Sequence, residues 1–578
     1  MYTRLKNVQI VLSLMKAHGI RHIVLSAGQS NYAIVNSVET DPYFHCYSVV
    51  DERSAAFFAM GLSQQLGEPV AISCTASTAC CNYLSAVTEA YYQGVPLLVL
   101  TSSRNIRNMD QMELLMIHQE NMFKDVTKKE IQLPEVRDQR DFAFCERIVN
   151  DAILELKHNG NGPVHIDIPS YGDPLITDVE KLPEVKAIHR HVLPEDNSFP
   201  FAQMLSGKKV MLICGQGAYS AQETALIAKL HERCNCVVAA EHMANLQLEC
   251  SVNINPVVNM SVPLPDELIP DVIITFGRHV MDRMWGKFRG KKIHHWCVNR
   301  AGTLIDPMGL LTDIFQSTEE LFLQTVVEQM SVSEDHSFDQ LWADRCNKMA
   351  VPEGTLCHIS AINELFKRLP EEGIIHYSIF NSIRISQHFP LPKGMKSYAN
   401  MGALGIDGCL STFLGQACAC EKEAFLIIGD LSFFYDMNAL GIRHIGPNVH
   451  IMLLNNSGGA EFYQNNGWYE TIDLHTAARH QKTADAWANS CGFSYQKVTN
   501  LEELATAIEQ FVAPKDMPSF LEVSTDLISD MEAMKNMEYL NNGKDMKKDD
   551  MKSALKKTAR LVLGNQGLNT LKKVLGKG

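Results

Sequence analysis

The chain has 578 residues, too many for one hydrophobic core, and its 46% apolar and 20% charged residues are ordinary for folded domains. A formal net charge of −14 argues against a generic nucleic-acid-binding surface. The 16 cysteines follow no regular framework, so reduced, buried thiols are expected, and His231-x-x-Cys234-x-Cys236 lacks the second pair that a zinc site needs. Met1 to Lys16 carries scattered charge and no apolar centre, unlike a signal peptide. No uninterrupted apolar run reaches about 18 residues, so no membrane span is expected and the compartment reads as cytosolic.

In chain order, apolar runs at His22–Ser26, Val70–Cys74, Leu97–Thr101 and Val164–Ile168 predict buried parallel strands of a first α/β block, residues 1–172. A polar, proline-containing linker is expected over 173–200. A second block, 201–345, opens with Val210–Cys214, Gly215-Gln216-Gly217-Ala218 and a helical pattern over Ala221–Arg233. This resembles a dinucleotide-binding turn without its third glycine, so a structural role is expected over nucleotide binding. Asp271–Gly277 predicts another strand of that block. A third block, 346–530, contains two apolar runs that each stop on polar residues. The remaining 531–578 is basic from Lys544, with Met551, Ala554, Leu555, Ala559 and Val562 at helical spacing. That tail is expected to dock on the enzyme's own surface or dimer partner, or else on a membrane surface or partner protein.

The two runs of the third block carry the chemistry. Ile427-Ile428 runs into Gly429-Asp430-Leu431-Ser432, and Ile451-Met452-Leu453-Leu454 runs into Asn455-Asn456-Ser457-Gly458-Gly459. Adjacent strand ends would then offer a carboxylate, carboxamides and glycine-exposed backbone to one spot. Such hard oxygen donors suit Mg²⁺ carrying a diphosphate. Near the start, Val49-Val50-Asp51-Glu52-Arg53-Ser54-Ala55-Ala56 reads as a strand end, a glutamate and a small-residue helix.

Together these segments resemble the thiamine diphosphate (ThDP) enzymes, and within them the 2-succinyl-5-enolpyruvyl-6-hydroxy-3-cyclohexene-1-carboxylate (SEPHCHC) synthases of menaquinone biosynthesis. Gly405-Ile406-Asp407-Gly408 with Ser411-Thr412 joins the match, which runs from about Gly19 to about Ser524 and is weakest in the middle. The resemblance implies an α/β fold of three doubly wound parallel-sheet domains: pyrimidine-binding, central Rossmann-like and diphosphate-binding. It implies Asp430, Asn456 and the Gly458 carbonyl as Mg²⁺ ligands, and Gly429, Ser432, Asn381 and Ser382 at the diphosphate. Ile406 would sit beneath a bent cofactor, and Glu52 would hydrogen-bond the aminopyrimidine so that its nitrogen deprotonates the thiazolium carbon. A homodimer or homotetramer is implied, because in this family the glutamate and the diphosphate site come from different subunits.

The departures bear on substrate. Where the menaquinone synthases carry Ser-Arg after the first strand, this chain has Gln29-Ser30; another expected arginine is Met401, and an expected Asn-Gln pair is Leu114-Leu115. Each lost charge-assisted contact would weaken a dicarboxylate by about 1.5–3 kcal/mol. Arg104 remains, with Arg283 and Arg384 as substitutes, while His118, Gln119 and Glu461 are candidates for acid–base or polar contacts over the cofactor. The expected reaction is decarboxylation of a 2-oxo acid with transfer of the resulting carbanion equivalent to an acceptor. A plain decarboxylase of phosphonopyruvate or sulfopyruvate type is the second reading, and a cofactor-free structural or regulatory paralogue the third.

Overall fold

Every strand pairing with a described register is parallel, and the apolar runs become strands buried on both faces. The computed structural model describes residues 1–196, 198–246, 248–466 and 470–542. Their contacts form two compact units, one of residues 1–196 and 296–317, the other of 197–295 and the chain from 318 onward.

In the first unit, β1 (His22–Leu25), β2 (His45–Ser48), β3 (Val70–Cys74), β4 (Leu97–Ser103), β5 (Lys129–Gln132) and β6 (Val164–Pro169) form a sheet in the order β2-β1-β3-β4-β6-β5. Alternating residues feed two cores. Ile23, Ala71, Leu98 and Ile166 point to one face; Val24, Ile72 and Val99 point to the other, against Ala55, Ala56 and Ala59 of the helix Glu52–Leu66. Small residues on that helix let it lie close to the sheet. Its start is fixed by Asp51, which accepts from the Ser54 N–H at 2.8 Å, and its end by Gly67 at φ +69°.

A seven-stranded sheet contains β7 (His189–Val192), β8 (Val210–Cys214), β9 (Cys236–Ala240), β10 (Ser251–Val252), β11 (Val272–Phe276), β12 (His294–Asn299) and β13 (Leu311–Gln316), ordered β10-β9-β8-β11-β12-β13-β7. Apart from its edge strand β7, this is the strand order of a dinucleotide fold. The turn after β8 is nevertheless closed upon itself. Gly215 N–H donates to Phe276 O at 2.9 Å and Arg278 N–H to Gln216 O at 3.0 Å, and a Cβ at Gly215 would stand 2.3 Å from Arg278 O. Gly215 there serves loop packing.

The third sheet, in the second unit, consists of β14 (Glu372–Tyr377), β15 (Gly394–Ala399), β16 (Ala424–Gly429), β17 (Val449–Asn455), β18 (Ser494–Val498) and β19 (Ser519–Ser524). Its order, β15-β14-β16-β17-β19-β18, repeats that of the first sheet strand for strand. Ile375, Phe425, Ile427 and Met452 face one core; Leu426, Ile428, Ile451 and Leu453 face the other. The α/β architecture of three parallel sheets is therefore the one expected.

The structure places several expected boundaries inside elements. β7, from the expected linker 173–200, pairs with β13; its residues His189-Arg190-His191-Val192 give no apolar run to read. The 345/346 boundary falls within the helix Ser337–Asn347. The 530/531 boundary falls within the helix Leu527–Asn542, whose Met531 packs on Tyr463 and Ile472, and whose Ala533 and Met537 join the core of β14 and β16. The basic segment from Lys544 lies outside the described residues. No helix among the described residues is long and apolar enough to cross a membrane.

Candidate active site

In the second unit, β16 and β17 lie side by side in register, Gly429 opposite Leu454, so their carboxyl ends share one edge. Asp430 begins the helix Asp430–Asp436 and is 4% exposed. Its Oδ1 accepts from its neighbour Leu431 N–H at 2.7 Å, and its Oδ2 from Gly458 N–H at 2.9 Å. That second bond joins the loop after β17 to the end of β16. Gly458 has φ +153°, and a Cβ there would lie 3.0 Å from Ala477 O, so the loop closes only around glycine. His480 Nε2 stands 3.2 Å from Asp430 Oδ2.

Asn456, 3% exposed, is held by a residue that the sequence did not single out. Its Nδ2 donates to Asp530 Oδ2 at 2.8 Å, and the same carboxylate accepts from His358 N–H at 2.7 Å and Thr525 Oγ1 at 2.8 Å. His358 Nε2 lies 3.0 Å from Asp530 Oδ2. Asp530 is thus a buried anchor fixing the carboxamide of Asn456. Ser432 Oγ donates to Ile406 O at 2.8 Å, bringing two expected cofactor residues together, with Ile406 half-buried. A Cβ at Gly429 would meet no atom within 4 Å, leaving a hollow beside Asp430.

Asn381 and Ser382 open the helix Asn381–Ser386 that follows β14. The preceding Phe380 has φ +60° and ψ −123°, a conformation costing a non-glycine residue about 1–3 kcal/mol and typical of ligand-bearing turns. Arg384, one turn on, forms an ion pair with Glu461 and lies 5.6 Å from the Phe380 ring centroid. A cavity of about 180 Å³ gathers Asn381, Arg283 and Arg384 with Met534, Lys535 and Met537. Three expected site residues therefore meet in one hollow.

In the first unit, Glu52 follows β2 at the same sheet edge as the loops after β1, β3 and β4. It is half-buried and makes no side-chain hydrogen bond or ion pair among the described residues; Asp51, one residue earlier, serves as the cap. Ser30 N–H donates to Thr75 Oγ1 at 3.2 Å, tying the loop of Gln29 and Ser30 to the end of β3, with Gln29 exposed. Gln119 is 2% exposed and its carboxamide is fully engaged. Oε1 accepts from the N–H of Ser77, itself at φ +75°, while Nε2 donates to Ser102 O at 3.1 Å and Asp167 Oδ1 at 3.0 Å. Its position makes it a brace for a strained turn. His118 projects outward, its side chain 71% exposed and Nε2 3.3 Å from Asp110. Arg104 pairs with Glu113 at 3.0 Å.

A metal fits the second-unit edge by its donor chemistry. Among the described residues no group of three or more His, Cys, Asp or Glu is arranged to hold an ion. One carboxylate, one carboxamide and a backbone carbonyl form the kind of partial oxygen set that a hard cation completes with phosphate oxygens and water.

The family model "Thiamine pyrophosphate enzyme, N-terminal TPP binding domain" matches residues 6–130, and "Thiamine pyrophosphate enzyme, C-terminal TPP binding domain" matches residues 381–523. The first span holds Glu52 and the second holds Asn381, Asp430 and Asn456. A 2-succinyl-5-enolpyruvyl-6-hydroxy-3-cyclohexene-1-carboxylate synthase of Bacteroides thetaiotaomicron is 36% identical over 558 residues, covering 93% of this chain and 99% of the relative. The chain belongs to the thiamine pyrophosphate enzymes. Within that family it is SEPHCHC-synthase-like. Relatives bearing the same name from Phocaeicola vulgatus (36% identity; 91% of this chain, 96% of the relative) and Desulfotalea psychrophila (30%; 88% and 96%) also align along most of its length.

Proposed function

We propose that this thiamine pyrophosphate enzyme catalyses Mg²⁺-dependent decarboxylation of a 2-oxo acid and transfers the resulting carbanion equivalent to an acceptor. The C1–C2 bond of the acid breaks, CO₂ leaves, and the electron pair kept on C2 forms a bond to an electrophilic carbon of the acceptor, which takes up one proton. When bound, ThDP supplies the nucleophilic carbon and the electron sink for that step. The chain's part is to bind, orient and move protons. Asp430, Asn456 and the Gly458 carbonyl would hold Mg²⁺; Gly429, Ser432, Asn381 and Ser382 would receive the diphosphate; Glu52 would hold a proton at the aminopyrimidine.

The observation that carries this reading is the Gly458-to-Asp430 hydrogen bond, which unites the two strand ends whose donors suit a metal diphosphate. A homodimer serves the reading, with Glu52 of one chain and the Asp430 edge of another acting on one cofactor. Exposed Phe57, Phe58, Leu84, Tyr91 and Tyr92 on the helices Glu52–Leu66 and Leu84–Gln93 offer the apolar face that such pairing would cover. The test is incubation with Mg²⁺, ThDP and a panel of 2-oxo acids, with and without acceptors. CO₂ release that depends on both cofactors, with a coupled product when acceptor is present, supports transfer. Free aldehyde and an acceptor-independent rate would make the enzyme a plain decarboxylase, and absence of CO₂ from every acid would refute both.

A further inference from the structure

The first and third sheets share more than their strand order. β6 and β19 hold the same place in the two sheets, and each carries an acid as its fourth residue. Asp167 pairs in register with Thr101 of β4, and Glu522 with Leu453 of β17, each partner the fifth residue of its strand. Both acids are fully buried. Asp167 accepts from Thr101 Oγ1 and Gln119 Nε2 at 3.0 Å, and from Ser103 Oγ and Gln132 Nε2 at 2.9 Å. Glu522 accepts from Asn455 Nδ2 at 2.8 Å, and from Ala484 N–H and Tyr495 Oη at 2.9 Å.

Each acid uses its carboxamide in the same way. Gln119 and Asn455 are buried, and each donates from its NH₂ group to the acid and to one backbone carbonyl, Ser102 O at 3.1 Å and Lys482 O at 2.9 Å. The oxygen end then accepts from the N–H of a serine with positive φ: Ser77 (φ +75°) at 3.0 Å and Ser457 (φ +67°) at 3.1 Å. A carboxamide alone could present either end. A carboxylate only accepts, so it turns the NH₂ toward itself and the oxygen toward the serine. Burying a charge is costly, and an apolar residue of similar size would serve packing better at both places.

Each serine stands where the proposed chemistry needs its loop. Ser457 precedes Gly458, whose N–H reaches Asp430. Ser77 precedes the helix Thr78–Cys81 in the turn after β3, and Thr75 of that turn holds the Ser30 N–H at the sheet edge that carries Glu52.

We infer that Asp167 and Glu522 are paired positioning residues: each orients one carboxamide to fix a positive-φ serine, Glu522 shaping the Asn456–Gly458 loop for the metal diphosphate and Asp167 shaping the Ser77 turn at the Glu52 edge. Their bearing on the reaction rests on the cofactor reading above; the two braces do not.

The experiment compares the full chain with Glu522→Gln and Asp167→Asn, both nearly isosteric, in two arms. In the first, without cofactor and at one pH, hydrogen exchange follows peptides covering 75–79 and 455–459. Each variant is expected to lose at least about tenfold of protection in its own loop, 455–459 for Glu522→Gln and 75–79 for Asp167→Asn, and less than about threefold in the other. In the second arm, with ThDP and the 2-oxo acid that releases CO₂ fastest, Glu522→Gln is expected to raise the Mg²⁺ midpoint at least about tenfold while kcat at saturation stays within about threefold. Asp167→Asn is expected to lower kcat at least about tenfold with the Mg²⁺ midpoint within about threefold. Because Glu522 acts through Asn455, adding Glu522→Gln to Asn455→Ala should move the midpoint by less than about threefold more. Unchanged protection in both loops, equal loss in both, or a midpoint that moves alike in the two variants would overturn the inference. If ThDP fails to bind or no acid reacts, the cofactor reading falls while the exchange arm still decides this one. Should either variant fail to fold, Asn455→Ala or Gln119→Ala breaks the same brace from its other end, with the same expectations and the same refuting results.

Discussion

Replacing Asp530 by asparagine should weaken Mg²⁺ binding although residue 530 is assigned no contact with the ion. The carboxylate accepts three hydrogen bonds, from Asn456 Nδ2, His358 N and Thr525 Oγ1, at 2.7–2.8 Å and with 4% exposure. An asparagine there keeps one acceptor oxygen and turns an NH₂ group toward at least one of these donors. Each lost bond to a buried charge is worth about 1.5–3 kcal/mol, so a stability loss of about 2–3 kcal/mol is expected. Partners that orient a metal ligand typically carry 10- to 100-fold in metal affinity, or about 1.4–2.7 kcal/mol. The assay is a Mg²⁺ titration at saturating ThDP, read by calorimetry and by the circular dichroism of the bound cofactor. Thr525→Val is the control: it removes one donor without touching Asn456, and should move the Mg²⁺ midpoint less than about threefold. A wild-type Mg²⁺ midpoint in a folded Asp530→Asn protein would refute the claim that Asp530 positions Asn456.

Other consequences follow from single residues. Glu52→Gln should retain ThDP binding within a few-fold while turnover falls by about 10²–10⁴, the usual share of a positioned acid or base; turnover within tenfold of wild type would remove Glu52 from the mechanism. Gly458→Ala places a Cβ 3.0 Å from Ala477 O at φ +153°, so a loss of about 1–3 kcal/mol in thermal unfolding and weaker Mg²⁺ binding are expected together. His376, 1% exposed on β14, has its pKa lowered by burial from 6.5 to about 4. The unfolded chain therefore takes up a proton between pH 6.5 and 4 that the fold refuses, so this contribution is complete above pH 6.5 and falls as pH drops toward 4, by about 3 kcal/mol. Protection of peptides covering β14 against hydrogen exchange, taken relative to the intrinsic exchange rate at each pH, should fall as pH drops through that window, and His376→Asn should flatten the dependence; wild-type protection that does not change with pH would contradict it.

The sheets were legible because parallel strands buried on both faces leave unbroken apolar runs, as at Val70–Cys74 and Ile427–Ile428. β7 was not, because an edge strand of His189-Arg190-His191-Val192 hides little apolar surface. Asp430, Gly458 and Asn456 could be read as one site because two strand ends deliver them to the same edge. Asp530 could not, since it lies at the very end of the third block, 74 residues beyond Asn456, and only folding brings the two together. A signal did exist: Leu527, Met531 and Met534 at helical spacing around Asp530 mark a packed helix. Charge compensation was equally hidden. Arg384 and Arg104 read as free cations in the sequence, whereas the fold sets Glu461 and Glu113 against them. Gln119 read as a polar contact for a ligand, yet its carboxamide braces Ser77.

The central claim is that a magnesium-held diphosphate docks where β16 and β17 end. Its most direct test is calorimetric titration of ThDP into the purified chain with and without Mg²⁺, repeated with Asp430→Ala. The account predicts one ThDP per chain, bound only with Mg²⁺ and lost in Asp430→Ala. Binding that is indifferent to Mg²⁺, or undiminished in the variant, would contradict it.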